Sequence, residues 1–324
     1  MAFGPIQVVP LRPVSCGSLV WTLGGVARVS VFVKASFTLV HDGPAQLVAP
    51  AELVTSDRMA PPVARGDLAP AQGLAAASEV APYLPNAGVV LVGSAHAPLG
   101  LPTPAMAARL AVYAGDRPLV DKLLHVYGDR TASAPTPRAL TSMPLVYERA
   151  FGGLGVEDNP VGVGASVSGA LPNVVDPKDA RRPAGFGPLA PTWGHRRRLL
   201  GSAARPSVER GALVVASELD FRYFHAAPAD QQTELLAGDE WLLLDGLDAE
   251  RPRLRSRLPS ARGVARCQVV GARDTELRAI ELSADTLVID ADHLVATIVW
   301  RGHVELDAAT NPARLRAEVG LATP

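Results

Sequence analysis

Residues 27–40, ARVSVFVKASFTLV, are the stretch that sets the fold class. Their β-branched and aromatic side chains are typical of a strand, and HDGP at residues 41–44 supplies a turn. Residues 87–98, AGVVLVGSAHAP, form a second short apolar run between Pro85 and Pro98. The first third of the chain therefore predicts strands rather than helices.

Two further stretches predict β-hairpins. Residues 108–130, ARLAVYAGDRPLVDKLLHVYGDR, place Gly115 and Asp116 between two strand-like runs, as hairpin turns do. Residues 240–259, EWLLLDGLDAERPRLRSRLP, have a similar form. Residues 263–307 indicate a meander of several strands, in which the IDADHL segment favours a turn over half of a metal site.

Helices are expected at only two places in the last third. Residues 227–238 have Pro228 in a plausible first turn and Gly238 as a stop signal. Residues 310–320 offer Asn311 as N-cap and Gly320 as C-cap. Both helices would be short.

The middle of the chain has a different composition. Between residues 143 and 194, sixteen of fifty-two residues are glycine or proline, and the prolines exclude a continuous helix or a central strand. Apolar side chains scattered through this stretch argue against disorder. The pattern predicts an ordered layer of loops packed on a sheet.

Together these patterns predict a mainly β protein with antiparallel, sandwich-like sheets, a long Gly/Pro-rich ordered loop insert and a few short helices. We interpret residues 1–324 as a single β-rich domain. Its strand-rich parts are residues 1–142 and 201–324, and its loop layer is residues 143–200. Strands from the two ends of the chain are candidates to share a sheet.

Composition narrows the functional classes. Hydrophobic residues make up 48%, charged residues 19% and the net charge is −1, so the whole molecule is not built to bind nucleic acid or an anionic membrane. Cys16 and Cys267 match no metal or redox spacing. The first residues lack the pattern of a signal peptide, and no apolar run is long enough to span a membrane. We expect a soluble cytoplasmic protein without a cofactor.

Familiar catalytic motifs do not appear in the sequence. The glycines after Arg149 form neither a dinucleotide-binding nor a P-loop pattern. The segment GASVSG is not a nucleophile elbow, and the seven histidines show no dense metal-ligand spacing. The sequence does not exclude a pair of carboxylates for glycoside hydrolysis, because the two residues of such a pair come from distant positions.

Glu148 and Arg149 precede the glycines of the loop layer. Neighbours in a strand point to opposite faces, so at least one of the two is expected to leave the strand and anchor the loop. We predict that Arg149 is largely buried and is hydrogen-bonded to carbonyls or carboxylates of the loop layer. A catalytic or partner-binding role is the alternative.

Four arginines alternate with other residues in RPRLRSRLP, residues 251–259. Period two places Arg251, Arg253, Arg255 and Arg257 on one face of a strand. A solvated face is one interpretation, because arginine outnumbers lysine 28 to 3 in this chain. A docking surface for an acidic partner is the other, and the segment HRRR at residues 195–198 would extend it if it lies nearby.

Several blocks resemble domain-of-unknown-function family 2169, in the order in which that family carries them: MPLVYERAFGG, NPVGVG, LPNVVDP, RPAGFGPLAPTW and FHAAPADQQ. The segments SEVAPYLPNAGVVLVGSAHAP and LHVYGDR are also similar. The resemblance covers nearly the whole chain and departs locally between residues 201 and 219. The positions that match the family signature are Tyr147, Glu148, Arg149, Phe151, Gly152, Gly153, Asn159, Pro160, Asn173, Asp176, Pro177, Phe186 and Gly187.

The resemblance implies a bacterial protein from a type VI secretion gene cluster. Some members resemble adaptor-chaperones that hold a toxic effector and load it onto the secretion spike, and the family brings no catalytic residues with it. We therefore expect an adaptor whose partners are a secreted effector and, through it, spike components. A hydrolase of cell-wall or sugar substrates, with its site in the loop layer, and a structural spike-tip component are the alternatives.

Overall fold

The computed structural model describes residues 6–10, 14–65, 68–164, 169–270, 275–306 and 315–322. In chain order the strands of these residues are β1 Gln7–Pro10, β2 Ser15–Leu23, β3 Val26–Thr38, β4 Gly43–Pro44, β5 Gln46–Leu47, β6 Arg58–Met59, β7 Val63–Arg65, β8 Leu68–Ala71, β9 Leu74–Ala76, β10 Ala87–Val92, β11 Ser94–His96, β12 Ala105–Ala114, β13 Arg117–Tyr127, β14 Ser142–Pro144, β15 Phe151–Gly152, β16 Val163–Gly164, β17 Val174–Val175, β18 Ser207–Glu209, β19 Ala212–Val215, β20 Gln232–Thr233, β21 Trp241–Asp245, β22 Arg253–Arg257, β23 Arg262–Val270, β24 Thr275–Ile280, β25 Ser283–Asp290, β26 Val295–Glu305 and β27 Leu315–Ala322.

Helical structure in the described residues is short. It consists of the α-helix Gly194–Arg197 and the 3-10 turns Pro98–Gly100, Tyr147–Arg149, Arg198–Leu200, Phe221–Phe224 and Ala229–Gln231. The described helices are too short to span a bilayer. The predicted fold class, mainly β with a few short helices, is confirmed.

A nine-stranded sheet organises the fold, with β18-β19-β2-β3-β26-β25-β10-β20 in order and β5 added beside β3. The strand first recognised in the sequence, β3, pairs antiparallel with both β2 and β26. The sheet is mixed rather than purely antiparallel, because β10 pairs parallel to β25 and β19 parallel to β2. Long connections bring these parallel strands together.

Two smaller sheets complete the core. The six-stranded sheet has the order β17-β13-β12-β21-β22-β4, and the four-stranded sheet the order β1-β27-β23-β24. Inward side chains of all three sheets form one hydrophobic cluster that includes Val33, Leu110, Leu244, Ile298 and Val319. The pairing of β1 with β27 confirms that the two ends of the chain share a sheet.

Both predicted hairpins are present. Strand β12 pairs antiparallel with β13 around Gly115, whose φ is +59°, and β21 pairs antiparallel with β22. The expected meander is divided between sheets: β23 and β24 belong to the four-stranded sheet, and β25 and β26 to the nine-stranded sheet. The IDADHL segment is a turn between β25 and β26, as expected.

The two predicted helices are wrong where the structure describes them. The helical structure in residues 227–238 is limited to the 3-10 turn Ala229–Gln231, which β20 follows. The fully buried Gln231 side chain donates to the carbonyls of Val89 and Phe186 and fixes the backbone there. Residues 315–322 form β27, whose alternate side chains Ala317, Val319 and Leu321 are buried. Residues 307–314, including Asn311, lie outside the described residues.

The Gly/Pro-rich stretch from 143 to 200 contains short strands, turns and the one-turn α-helix Gly194–Arg197 in its described parts, 143–164 and 169–200. A small hydrophobic cluster of its own consists of Tyr147, Val161, Leu189, Ala190 and Trp193. The rings of Tyr147 and Trp193 meet edge to face, with 5.2 Å between their centroids. Side-chain packing, rather than a regular ladder of backbone hydrogen bonds, therefore shapes this layer.

Candidate functional site

The outer face of the nine-stranded sheet carries a cavity of about 590 Å³, which we call the sheet cavity. Its floor includes Ser36 of β3, Val90 of β10, Val288 of β25 and Thr297 of β26. The neighbouring residues in these strands point to the opposite face and belong to the core. The alternation that builds the core thus leaves a second, partly apolar surface on the other side of the sheet.

The walls of the sheet cavity come from segments that cross this face. Residues from 48–54 and 75–81 line it together with residues 224–227 and Pro188. Many of these side chains are alanine, which leaves open space above the floor. A concave, mainly aliphatic cavity of this volume lies within the range of ligand-binding pockets.

A buried ion pair fastens the walls to the floor. The Lys34 ammonium lies 2.8 Å from the Glu79 carboxylate, and both side chains are less than a tenth exposed. Lys34 also donates to the carbonyl of Glu52 at 2.8 Å, and the amide of Val54 donates to the Glu79 carboxylate at 2.8 Å. One cation on the sheet therefore holds both crossing segments.

A second buried pair lies beside the first. Arg301 Nη1 donates to Asp285 Oδ2 at 2.9 Å, and each side chain is 3% exposed. Arg301 Nη2 donates to the Glu79 carbonyl at 2.7 Å. Burial raises the pKa of Asp285 to about 6, against the opposing effect of Arg301, and burial lowers the pKa of Arg301.

His225 contributes an imidazole ring to the wall of the sheet cavity. Burial lowers its pKa to about 4, so the imidazole is neutral at pH 7. Its Nε2 lies 2.7 Å from the carbonyl oxygen of Asn86 and donates to it. This hydrogen bond fixes the ring in the wall. The described residues contain no group of three or more His, Cys, Asp or Glu side chains placed to hold a metal.

The predicted signature residues are distributed through the loop layer, and the side chains of several form hydrogen bonds with backbone groups of the loops. Asn159 is fully buried and donates to the carbonyls of Tyr147 and Phe151 at 2.8 and 2.9 Å. Glu148 is buried and accepts from the amide of Gly73 at 2.7 Å. Phe186 is fully buried, and its carbonyl accepts from Leu91 N.

The remaining signature residues also contact neighbouring loops. Asn173 donates to the Tyr127 carbonyl at 3.1 Å. Asp176 accepts from the amide of Lys178 at 2.8 Å and lies 3.7 Å from Arg182. Phe151 is half-buried in β15, which pairs parallel to β16. Their contacts hold loop segments together.

The expected burial of Arg149 is wrong. Its side chain is 39% exposed and makes two long contacts, 3.4 Å to Asp129 and 3.3 Å to the side-chain oxygen of Asn173. In the loop layer, Arg196 is buried and donates to the carbonyls of Tyr223 and Leu189 at 2.8 and 2.9 Å. Glu148, not Arg149, turns inward from the 3-10 turn at Tyr147–Arg149.

The alternating arginines belong to β22, which we call the arginine strand, and their side chains point to the outer face of the six-stranded sheet. Arg253, Arg255 and Arg257 are exposed, while Leu254 and Ser256 are buried, so the predicted alternation is confirmed within β22. Arg251 precedes the strand and pairs instead with Asp248 at 3.0 Å, so its predicted place in the row is wrong. A turn ends the regular alternation before β22 begins.

Each arginine of β22 is neutralised by an aspartate. Arg253 pairs with Asp245 at 2.6 Å, Arg255 with Asp42 at 2.7 Å and Arg257 with Asp239 at 3.1 Å. Opposite charges from neighbouring segments therefore separate the like charges of the row. The HRRR segment is likewise paired: Arg197 with Glu157 and Arg198 with Asp158.

We expect the double variant Arg255→Gln/Arg257→Gln to change the free energy of unfolding by less than about 1 kcal/mol, because exposed ion pairs contribute little. Urea denaturation followed by circular dichroism measures this change. A loss of several kcal/mol would show that the two pairs brace the sheet edge.

The sequence contains one signal for the buried pairs. Lys34 interrupts the apolar run VFVKASF, and Arg301 follows the run TIVW. A charged residue inside an otherwise apolar strand requires a buried partner. Glu79 could not be assigned as the partner of Lys34 from sequence spacing, because it lies on a segment that crosses the sheet. Asp285, in contrast, lies on β25, the hairpin neighbour of the strand that carries Arg301.

Comparison with curated proteins and with solved structures finds no match. A family model does match, and it spans residues 24–301, which include the sheet cavity, the loop layer and the arginine strand. The chain therefore belongs to the family described as "Uncharacterized protein conserved in bacteria (DUF2169)".

Proposed function

We propose that the protein is an adaptor-chaperone that binds an apolar segment of a type VI secretion effector and assists its loading onto the spike. The sheet cavity is the observation that carries this proposal. It presents small aliphatic side chains across the outer face of the main sheet, where a partner's larger apolar side chains would fit.

The charges of the cavity support binding rather than chemistry. Lys34 and Arg301 are engaged by Glu79 and Asp285, and these pairs hold the walls in place. His225 is neutral and donates to a backbone carbonyl. The sheet cavity is thus preformed and mainly apolar, and its ionisable groups stabilise its walls.

The rim of the cavity supports a polypeptide as the occupant. Asp290 and His293 lie at the end of β25, 2.9 Å apart and exposed to solvent, and Ser78 lies on the wall. An apolar centre surrounded by polar groups is the usual arrangement of a protein–protein interface. The resemblance of the sequence blocks to adaptor-chaperones supports an effector as the partner and the bacterial cytoplasm as the place of binding.

The substitution Val288→Phe tests this function, because it projects a ring from the floor into the sheet cavity. Each product of the genes adjacent to this one is co-expressed with the protein, and complexes are measured by size-exclusion chromatography with light scattering and by calorimetry. We expect one effector to form a stable complex, and Val288→Phe to weaken its affinity at least tenfold.

The matched control is Val208→Phe, at an exposed position of β18 on the other edge of the same sheet. It should bind like the unsubstituted protein. Equal binding by both variants would remove the sheet cavity from the interface. Reproducible turnover of cell-wall or sugar substrates by the purified protein would instead favour a hydrolase, and stable self-association without an effector would favour a spike-tip component.

A further inference from the structure

A second cavity, of about 510 Å³, lies where the loop layer meets the end of β13. Its lining includes three arginines, Arg130, Arg138 and Arg149, and we call it the arginine pocket. Val163 and Leu171 supply apolar surface beside them. The cavity therefore combines several guanidinium groups with partial shelter from water, which strengthens electrostatic attraction.

Arg130 is held in a fixed orientation. Its guanidinium lies 4.0 Å from the centre of the Tyr127 ring, and its Nη2 donates to the Pro172 carbonyl at 3.1 Å. Its Nε is buried and has no hydrogen-bond partner among the described residues. A guanidinium that is already ordered loses little freedom when it binds an anion.

Arg149 has donors to spare. Its Nη1 makes long contacts with Asp129 Oδ1 at 3.4 Å and Asn173 Oδ1 at 3.3 Å. Asp129 is 70% exposed and also accepts from Asn173 Nδ2 at 3.1 Å. A good bond between a guanidinium and a carboxylate is shorter, about 2.7–2.9 Å. Asp129 is thus only a weak ion-pair partner for Arg149.

The balance of charge leaves the arginine pocket positive. Arg138 is exposed and makes no ion pair with any residue that the structure describes. Glu148 also lines the cavity, but its carboxylate is buried and accepts from the Gly73 amide. Three guanidinium groups therefore face two carboxylates, of which Asp129 is exposed and weakly held, whereas each arginine of β22 has an aspartate within 3.1 Å.

We propose that the arginine pocket binds a carboxylate, and that an aspartate or glutamate side chain of the effector supplies it. A planar carboxylate matches the fork of a guanidinium through two parallel hydrogen bonds. The effector as the source rests on the proposed function, while the carboxylate site itself rests on the pocket alone. The acidic-partner hypothesis thereby moves from the arginine strand to this cavity.

A peptide-binding experiment tests the site without the effector. Fluorescein-labelled hexaglutamate is titrated with the full chain, and its anisotropy is followed at 20 and 150 mM NaCl. We expect binding that weakens with salt and that falls at least fivefold in both Arg138→Gln and Arg149→Gln. The Arg255→Gln/Arg257→Gln variant is the matched control and should stay within twofold of the unsubstituted protein.

Each other outcome has a distinct meaning. Absence of hexaglutamate binding, or equal loss in the control variant, would overturn the site. Displacement of the peptide by inorganic phosphate but not by acetate at equal concentration would assign the cavity to phosphate instead. Arg138→Gln removes an exposed side chain without an ion pair in the described structure, so it should melt normally and keep the test valid if Arg149→Gln does not fold.

The same variants are then tested against the effector found by co-expression. If they bind hexaglutamate weakly but the effector normally, the carboxylate site is real and the effector is not its source. If Val288→Phe leaves effector binding intact while Arg138→Gln weakens it, the sheet cavity fails as the interface and the arginine pocket stands.

Discussion

Replacing Arg301 by methionine is expected to lower the free energy of unfolding by about 3–5 kcal/mol, because removal of one partner leaves a buried charge without compensation. Asp285 would lose its ion pair, and the Glu79 carbonyl would lose a donor. Urea denaturation measures the change. The exposed Arg255→Gln/Arg257→Gln variant provides the comparison at the surface.

The pH dependence of this loss has a definite sign. Burial raises the pKa of Asp285 to about 6 in the folded protein, above its value of about 3.9 in the unfolded chain. A raised folded pKa gives stability that is present at low pH and lost as pH rises through that value. Without Arg301 the folded pKa rises further, so the deficit of Arg301→Met should be larger at pH 8 than at pH 5.

The double variant Asp285→Leu/Arg301→Met separates a charge effect from a packing effect. Apolar replacement of both partners of a buried pair is often neutral, so the double variant should recover much of the stability lost in Arg301→Met. A double variant as unstable as the single one would show that the contact of Arg301 with Glu79, not its pair with Asp285, holds the walls of the sheet cavity.

Gly152→Ala is expected to destabilise the protein by about 3 kcal/mol, at the upper end for an overpacked site. A Cβ at this position would lie 2.2 Å from the carbonyl oxygen of Asn159 and 2.8 Å from its side-chain nitrogen. Asn159 cannot move aside easily, because it is fully buried and bonded to two carbonyls. Thermal and urea unfolding both report the loss.

Gly187→Ala is the matched control from the same loop layer. The nearest atom to a Cβ there is the Leu91 carbonyl oxygen at 4.0 Å, and the backbone needs no left-handed conformation. This variant should unfold like the unsubstituted protein. Equal stability of the two alanine variants would mean that the turn around Asn159 can shift to admit a methyl group.

Local patterns were enough to predict the strands and part of the surface. Period-two alternation correctly predicted which side chains of β22 face the solvent. Arg253, Arg255 and Arg257 are exposed, and the two side chains between them are buried. Turn chemistry gave the β12–β13 hairpin at Gly115. These features depend on residues that are close in the sequence, so spacing alone carries the information.

Features that depend on distant residues could not be predicted in the same way. Arg255 is neutralised by Asp42 and Arg149 is exposed beside Asp129, and no spacing rule joins those positions. The helix expected at residues 227–238 had good terminal signals, yet the tertiary contacts of Gln231 override them. Both cavities arise from segments that meet only in the folded chain.

The position of β3 between β2 and β26 has a consequence for how the protein folds. Its hairpin partner β2 is available at once, whereas Val295, the partner of Thr38, follows it only after more than 250 further residues of chain. Such a high contact order slows folding, because a large loop must close before its contacts stabilise it. Until then one long apolar edge of β3 stays open, and a nascent chain stalled before residue 295 exposes a template for aggregation.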